Sequence, residues 1–62
     1  MDISALRKCQ GKDCSLICEN NFHYNNISFI IEDGCVVFVD KNGDRQILDP
    51  SFVKLVTERE VT

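Results

Sequence analysis

The chain has few of the residues that mark specialised proteins. Its 62 residues include no tryptophan, one proline, one histidine and only seven lysines and arginines. A formal net charge of −3 argues against nucleic acid as a partner, because binding through phosphates depends on basic side chains that release counterions. The longest apolar run is far too short to span a bilayer, and the first residues lack the charged-then-apolar pattern of a secretion signal. We therefore expect a cytoplasmic protein with no membrane partner.

The small size also limits what the chain can do. Residues 1–62 form one small β-rich domain, near the size at which a core without crosslinks is only marginally stable. Such a domain has little room for a deep cleft, and its serines, histidine and cysteines lie in no nucleophile elbow or oxyanion loop. We therefore predict that the protein is not an enzyme and has no catalytic residue and no cofactor.

Four cysteines, at positions 9, 14, 18 and 35, are prominent in so short a chain. They could form disulfides in a secreted domain, whereas in a reducing compartment they would be small, usually buried apolar groups. Only Cys14 and Cys18 approach the ligand spacing of a structural zinc site. On an extended strand their thiols would lie about 13 Å apart, too far to bind one ion. We therefore predict no metal site, and a small structural zinc-binding protein is the second alternative function.

Two turn dipeptides, Asp33-Gly34 and Asn42-Gly43, organise the predicted fold. Both suit a two-residue type I′ turn, which needs positive φ at both central positions. Such turns would join three antiparallel strands with defined cross-strand pairs, namely Ile31 with Val36, Ile30 with Val37, Phe29 with Phe38, Phe38 with Ile47, and Val37 with Leu48.

The segment before these hairpins alternates between apolar and polar residues from Cys14 to Tyr24, which indicates a strand. Asn25-Asn26 would then form a further two-residue turn and place Phe22 opposite Phe29. In that arrangement four side chains would line up across neighbouring strands as the centre of the core, namely Phe22, Phe29, Phe38 and Ile47. The alternative is a polar loop over residues 20–26.

The two ends of the chain each suggest a short element. Asp2 or Ser4 can cap an N-terminal helix, which would have to dock through Ile3 and Leu6 because so short a helix is unstable alone. After Leu48, one interpretation is a 3₁₀ turn near Pro50 followed by a strand, since several residues there are β-branched. The alternative is an α+β fold with a C-terminal helix over residues 50–60.

The sequence LDPSFVKLV, residues 48–56, resembles the end of SH3 domains, where a 3₁₀ turn with proline and serine leads into the last strand. The order of a short helix, five strands and this turn is similar to the Sm-like fold. The resemblance implies a mainly β, SH3-like or Sm-like five-stranded meander or partly open barrel. The chain lacks the aromatic patch with which SH3 domains bind proline-rich peptides, and it lacks the uridine-binding motifs of Sm proteins. We therefore predict neither of these ligands for it. An RNA- or DNA-binding module of this type is the first alternative function.

Both faces of the predicted meander are apolar, although a small meander normally keeps one face polar. The face opposite the Phe29–Phe38 core would carry an interaction patch of four aliphatic side chains, namely Ile30, Val37, Val39 and Leu48. Either the N-terminal helix or another chain must cover this patch, and the helix has too few apolar residues to cover all of it. We therefore predict a non-enzymatic, small acidic interaction protein, for example a regulator or inhibitor, that binds a protein partner or forms a homo-oligomer.

Overall fold

The computed structural model describes residues 1–59, which form two antiparallel sheets, a short helix and a 3₁₀ turn. In chain order the elements are α1 (Ile3–Arg7), β1 (Cys14–Cys18), β2 (His23–Ile27), β3 (Ile30–Glu32), β4 (Cys35–Val39), β5 (Arg45–Leu48), η1 (Pro50–Phe52) and β6 (Val53–Glu58). The strand order is β2-β1-β6 in one sheet and β3-β4-β5 in the other. The prediction of a mainly β fold with a short N-terminal helix is confirmed. The strands form two separate sheets and do not close into a barrel.

The 3₁₀ turn predicted near Pro50 is confirmed, and the alternative C-terminal helix over residues 50–60 is wrong. The Asp49 carboxylate accepts hydrogen bonds from the backbone N–H and the hydroxyl of Ser51, which caps η1. The chain then extends as β6, which pairs with β1. The β-branched residues of this segment favour the strand. Residue 60 of the helix alternative lies outside the described residues.

The first hairpin has the predicted turn and register. Asp33 has φ 52° and Gly34 has φ 75°, as a type I′ turn requires. The resulting pairs are Ile30 with Val37, Ile31 with Val36 and Glu32 with Cys35. The two predicted pairs that fall within β3 and β4 are therefore confirmed.

The second hairpin differs from the prediction by one residue. Gly43 has φ 85°, but Asn42 is not among the residues with positive φ, so this turn is not type I′. The Gly43 N–H donates to the Asp40 carbonyl at 3.0 Å, and the Asp40 N–H donates to the Asp44 carbonyl at 2.9 Å. This pattern is a type I turn followed by a left-handed glycine, and it gives a three-residue loop. As a result Phe38 pairs with Gln46 instead of Ile47, and Val37 pairs with Ile47 instead of Leu48.

The Asp40 side chain selects this longer loop. Its Oδ1 accepts the backbone N–H groups of Asn42 and Asp44 at 2.9 and 3.0 Å, and its Oδ2 accepts the Gln46 amide at 2.9 Å. The bond from Gln46, followed by the two backbone bonds, lowers the pKa of Asp40 below its ordinary value. Aspartate at the first position and glycine at the fourth are typical of a type I turn. The sequence therefore carried a signal for the observed loop beside the Asn-Gly signal for the shorter one.

The predicted Asn25-Asn26 turn is also wrong, because both residues lie inside β2. The chain reverses earlier, between Cys18 and Phe22, where the Cys18 N–H donates to the Phe22 carbonyl at 2.9 Å. Asn26 has φ 57° and lies where the β1–β2 register shifts, so its tolerance of positive φ permits a bulge in the strand. Phe22 precedes β2 and is exposed, and it does not pair with Phe29.

One hydrophobic core joins the helix to both sheets. Phe29 and Phe38 are buried as predicted, but Phe22 and Ile47 are exposed. The helix docks through Leu6, which is fully buried. The buried cluster consists of Leu6, Cys14, Leu16, Ile27, Phe29, Val36, Phe38 and Val53.

The four thiols are free, and they differ in exposure. Cys14 and Cys18 are buried on the inner face of β1, whereas Cys9 and Cys35 are half-buried. Burial raises the pKa of the Cys14 thiol to about 11, and the neighbouring Cys9 makes the second-largest contribution to this shift. Burial also raises the pKa of Cys18. Both core thiols are therefore protonated at neutral pH and act as small apolar groups.

The two turn models can be separated by substituting valine at each position of Asn42-Gly43. Gly43→Val should lower the free energy of unfolding by about 1–2 kcal/mol, because a β-branched side chain resists positive φ. Apart from the two neighbouring residues, no atom of residues 1–59 lies within 4 Å of the position that a Gly43 Cβ would take, so the loss comes mainly from the backbone. Asn42→Val is the matched control and should cost less in urea unfolding. Equal losses at both positions would indicate a type I′ turn.

The buried thiol predicts how stability changes in alkaline solution. Because the pKa of Cys14 in the folded protein lies above the reference value of 9.0, the folded chain holds this proton more tightly than the unfolded chain. The free energy that the protonated Cys14 thiol contributes to folding should be fully present below pH 9.0 and should decline as the pH approaches about 11. Cys14→Ala should be less stable at neutral pH because of the cavity, but its unfolding free energy should decline less steeply over this range. Parallel pH profiles for parent and variant would show that this thiol does not titrate as described.

Candidate interaction surface

The outer face of the β3-β4-β5 sheet carries an apolar cluster opposite the core. Strand alternation directs Ile30, Val37 and Ile47 to this face, and the observed register pairs Ile30 with Val37 and Val37 with Ile47. The three side chains therefore form one row across three strands. Val39 lies two residues further along β4 on the same face. We call these four residues the outer-face patch.

The structure changes one member of the predicted patch. Ile30, Val37 and Val39 lie on the outer face as expected, but Leu48 pairs with Val36 and packs against the core. The extra residue in the second loop reverses the direction of every β5 side chain relative to β4. Ile47 takes the place that was predicted for Leu48. The Asp and Gly spacing of the loop was the sequence signal that could have identified it.

Most of the outer-face patch is open to solvent. Ile30 is 49% exposed, Val39 is 60% exposed and Ile47 is 57% exposed. Val37 is only 7% exposed, although it does not belong to the core cluster. It lies in the middle strand between Ile30 and Ile47, whose side chains flank it. The patch thus has a shielded centre and a solvent-exposed aliphatic border.

One ion pair crosses the same face. The Arg45 guanidinium on β5 lies 3.3 Å from the Glu32 carboxylate on β3, so the pair spans β4. Both side chains are more than half exposed, and such a pair contributes little to stability. Glu32 and Arg45 lie diagonally on either side of Val37, so this pair reaches across the middle of the row.

The N-terminal helix does not cover the patch. It contacts β3 and inserts Leu6 into the core, on the opposite side of the sheet. The residues after the helix instead occupy the edge of β3. The Gln10 side chain accepts the Ile31 N–H at 2.6 Å, and the Gly11 N–H donates to the Phe29 carbonyl at 2.9 Å. The helix is one of the two elements predicted to cover the patch, and in the structure of residues 1–59 it does not cover it.

A shallow cleft of about 440 Å³ borders the patch at Val39. The Phe22 and Tyr24 rings line it, and their centroids lie 4.7 Å apart. The Tyr24 ring also contacts the Phe38 ring, with 4.9 Å between their centroids. Asp40 also lines the cleft, but its carboxylate is engaged by the turn and by Gln46. His23, Lys41 and three asparagines also line the cleft, so aromatic and polar groups share it beside the patch.

The described residues supply no grouped metal ligands. Within residues 1–59, no three histidine, cysteine, aspartate or glutamate side chains lie close enough to bind one ion. His23 is exposed on β2, opposite Ile17 of β1. In the same range, no helix has the length and apolar character needed to span a membrane.

Comparison of the chain with protein-family models, curated proteins and solved structures gives no match. The geometry of the outer-face patch is therefore the basis on which function is argued.

Proposed function

We propose that this chain is a non-enzymatic interaction protein that binds a protein surface through the outer-face patch. The observation that carries the proposal is the exposure of Ile30, Val39 and Ile47 around the shielded Val37. Covering exposed aliphatic side chains is favourable by about 25 cal/mol per Å² of apolar area removed from water. Binding to a partner surface that supplies apolar side chains gains this free energy. The chain would act by occupying that surface, as a small regulator or inhibitor does.

The charge of the face favours a protein over a nucleic acid. Arg45 and Glu32 balance each other on the face, and the whole chain has a net charge of −3. Phosphate binding requires an excess of basic side chains, whereas an apolar face on which the charges are balanced suits another protein. The partner class that we propose is therefore a second copy of the chain or a different protein with an apolar patch.

We also propose an SH3-like or Sm-like arrangement as the fold type. Three features support it. The first strand, β1, lies between β2 and the last strand β6, and η1 leads directly into β6. Only Ser28 and Phe29 separate β2 from β3, so these two strands correspond to one bent strand of a five-stranded meander.

A charge at the border of the patch tests the proposal. Val39→Glu should leave the fold intact, because Val39 is 60% exposed, but it should weaken protein binding at least tenfold by placing a carboxylate in the interface. Leu55→Glu is the matched control, since Leu55 is also largely exposed but lies on β6 in the other sheet. Circular dichroism confirms the fold of each variant. Sedimentation and affinity capture compare their self-association and their bound proteins with those of the parent.

The comparison between the two variants decides the outcome. Loss of self-association or of a bound protein in Val39→Glu, with retention in Leu55→Glu, supports the proposal. Equal behaviour of parent, Val39→Glu and Leu55→Glu in both measurements would refute it. Val37→Glu should weaken binding more than Val39→Glu because Val37 lies at the centre of the patch, and it should also destabilise the fold because Val37 is only 7% exposed.

A further inference from the structure

The two sheets have four edge strands, and three of them carry features that hinder strand pairing. The residues after the helix occupy the edge of β3 through Gln10 and Gly11. The bulge at Asn26 distorts β2, and the Arg59 guanidinium donates a hydrogen bond to the Asn26 side chain. The β6 edge has a register shift near Val53, and exposed Lys54 follows it. These features are the usual means by which proteins block additional strands.

Within residues 1–59, the edge of β5 carries the charged side chain of Arg45 but has no bulge and no segment bound to it. The N–H of Asp40 bonds to the carbonyl of Asp44, and this pair sets the alternation along the hairpin. The backbone groups of Gln46 and Leu48 consequently point towards β4, whereas those of Arg45 and Ile47 point away from it. Within residues 1–59, no turn or side chain bonds to this outward edge. Exposed Ile47 thus lies at a strand edge whose backbone donors and acceptors face solvent.

We infer that β5 pairs with β5 of a second copy, antiparallel about a two-fold axis at Ile47, and so joins two sheets into one of six strands. This inference rests on the proposed function: the second copy joins the sheet at the edge beside the outer-face patch, and the joined patches remain open to a further protein. Strand addition at an open edge gains backbone hydrogen bonds, and a two-fold axis lets each copy offer the same surface. Ile47 would form a reciprocal hydrogen-bonded pair with Ile47 of the second copy.

Charge selects this register from the alternatives. Pairing centred on Ile47 places Arg45 opposite Asp49 of the second copy, and opposite charges meet on both sides of the axis when Arg45 exchanges its Glu32 partner for this carboxylate. Pairing centred on Arg45 would juxtapose two like charges. Pairing centred on Gln46 would place Arg45 opposite Ile47 and leave Asp49 without a basic partner.

Asp49 is suited to this contact. It is exposed and extended, with φ −69° and ψ 136°, so it continues the direction of β5. Its Oδ1 accepts hydrogen bonds from the backbone N–H and the hydroxyl of Ser51. Its Oδ2 is therefore the oxygen that would bind Arg45 of the second copy. The bonds from Ser51 lower the pKa of Asp49, so the carboxylate is charged at neutral pH.

The pairing would also enlarge the outer-face patch. The row of Ile30, Val37 and Ile47 would continue into the same row of the second copy, across six neighbouring strands. Because only one short strand is shared, the contact area is at the low end for protein interfaces, and association should depend on concentration. The dimer would thus present a doubled apolar face to a further protein.

Disulfide trapping at the axis tests the inference. The Cα atoms of a hydrogen-bonded antiparallel pair lie about 5.5 Å apart, within the range of a disulfide. Ile47→Cys should therefore form a covalent dimer under mild oxidation much faster than the parent, whose own cysteines set the background. Leu55→Cys is the control, because it places an equally accessible thiol on the other sheet. Sedimentation of the parent should show a mass that rises from 7.1 kDa towards twice that value with concentration.

Two results would overturn the inference. One is a parent that sediments at 7.1 kDa at all concentrations up to about 1 mM. The other is crosslinking of Ile47→Cys no faster than that of Leu55→Cys. If either occurs while Val39→Glu still loses a bound protein that Leu55→Glu retains, the dimer is wrong and the proposed function stands. If the dimer forms but Val39→Glu behaves like Leu55→Glu in self-association and in its bound proteins, the β5 pairing stands and the role of the patch is refuted.

Discussion

The carboxylate of Asp40 is the contact on which the rest of the surface depends. By holding the N–H groups of Asn42 and Asp44, it stabilises a loop of three residues between β4 and β5. The side chains of a strand alternate with a period of two, so this single extra residue determines which β5 side chains enter the core. Leu48 packs inside and Ile47 faces solvent as a direct consequence. The composition of the outer-face patch therefore follows from one turn.

The chain is too small to cover both faces of the β3-β4-β5 sheet. One core serves the helix and both sheets, and α1 is committed to it through Leu6. No further element among residues 1–59 covers Ile30, Val39 and Ile47. In a domain this small, leaving aliphatic side chains in water forgoes stability that is already marginal. Recognition of another protein gives a physical reason for such a surface.

Residues with one strong local signal were predicted correctly from the sequence. Asp33-Gly34 fixed the first hairpin because both positions require positive φ. Asp49-Pro50 suits the start of a helix as well as a 3₁₀ turn, and the β-branched residues that follow it indicated the turn and the last strand. Errors arose where two local signals competed. Asn42-Gly43 favours a two-residue turn, but the hydrogen bonds of Asp40 favour a longer one. Asn26 adopts positive φ as expected, but in a bulge and not in a turn. The dipeptide alone does not distinguish these outcomes, because tertiary pairing with β1 decides between them. The same competition explains why Leu48, and not Ile47, was placed on the outer face.

The β5 register is the central claim, and the solvent accessibility of two methyl-bearing side chains tests it most directly. In a methyl-labelled sample, a soluble paramagnetic agent broadens NMR signals according to their distance from solvent. In dilute solution we expect strong broadening of the Ile47 methyl signals and protection of those of Leu48. Strong broadening of Leu48 with protection of Ile47 would contradict the register, and with it the composition of the outer-face patch.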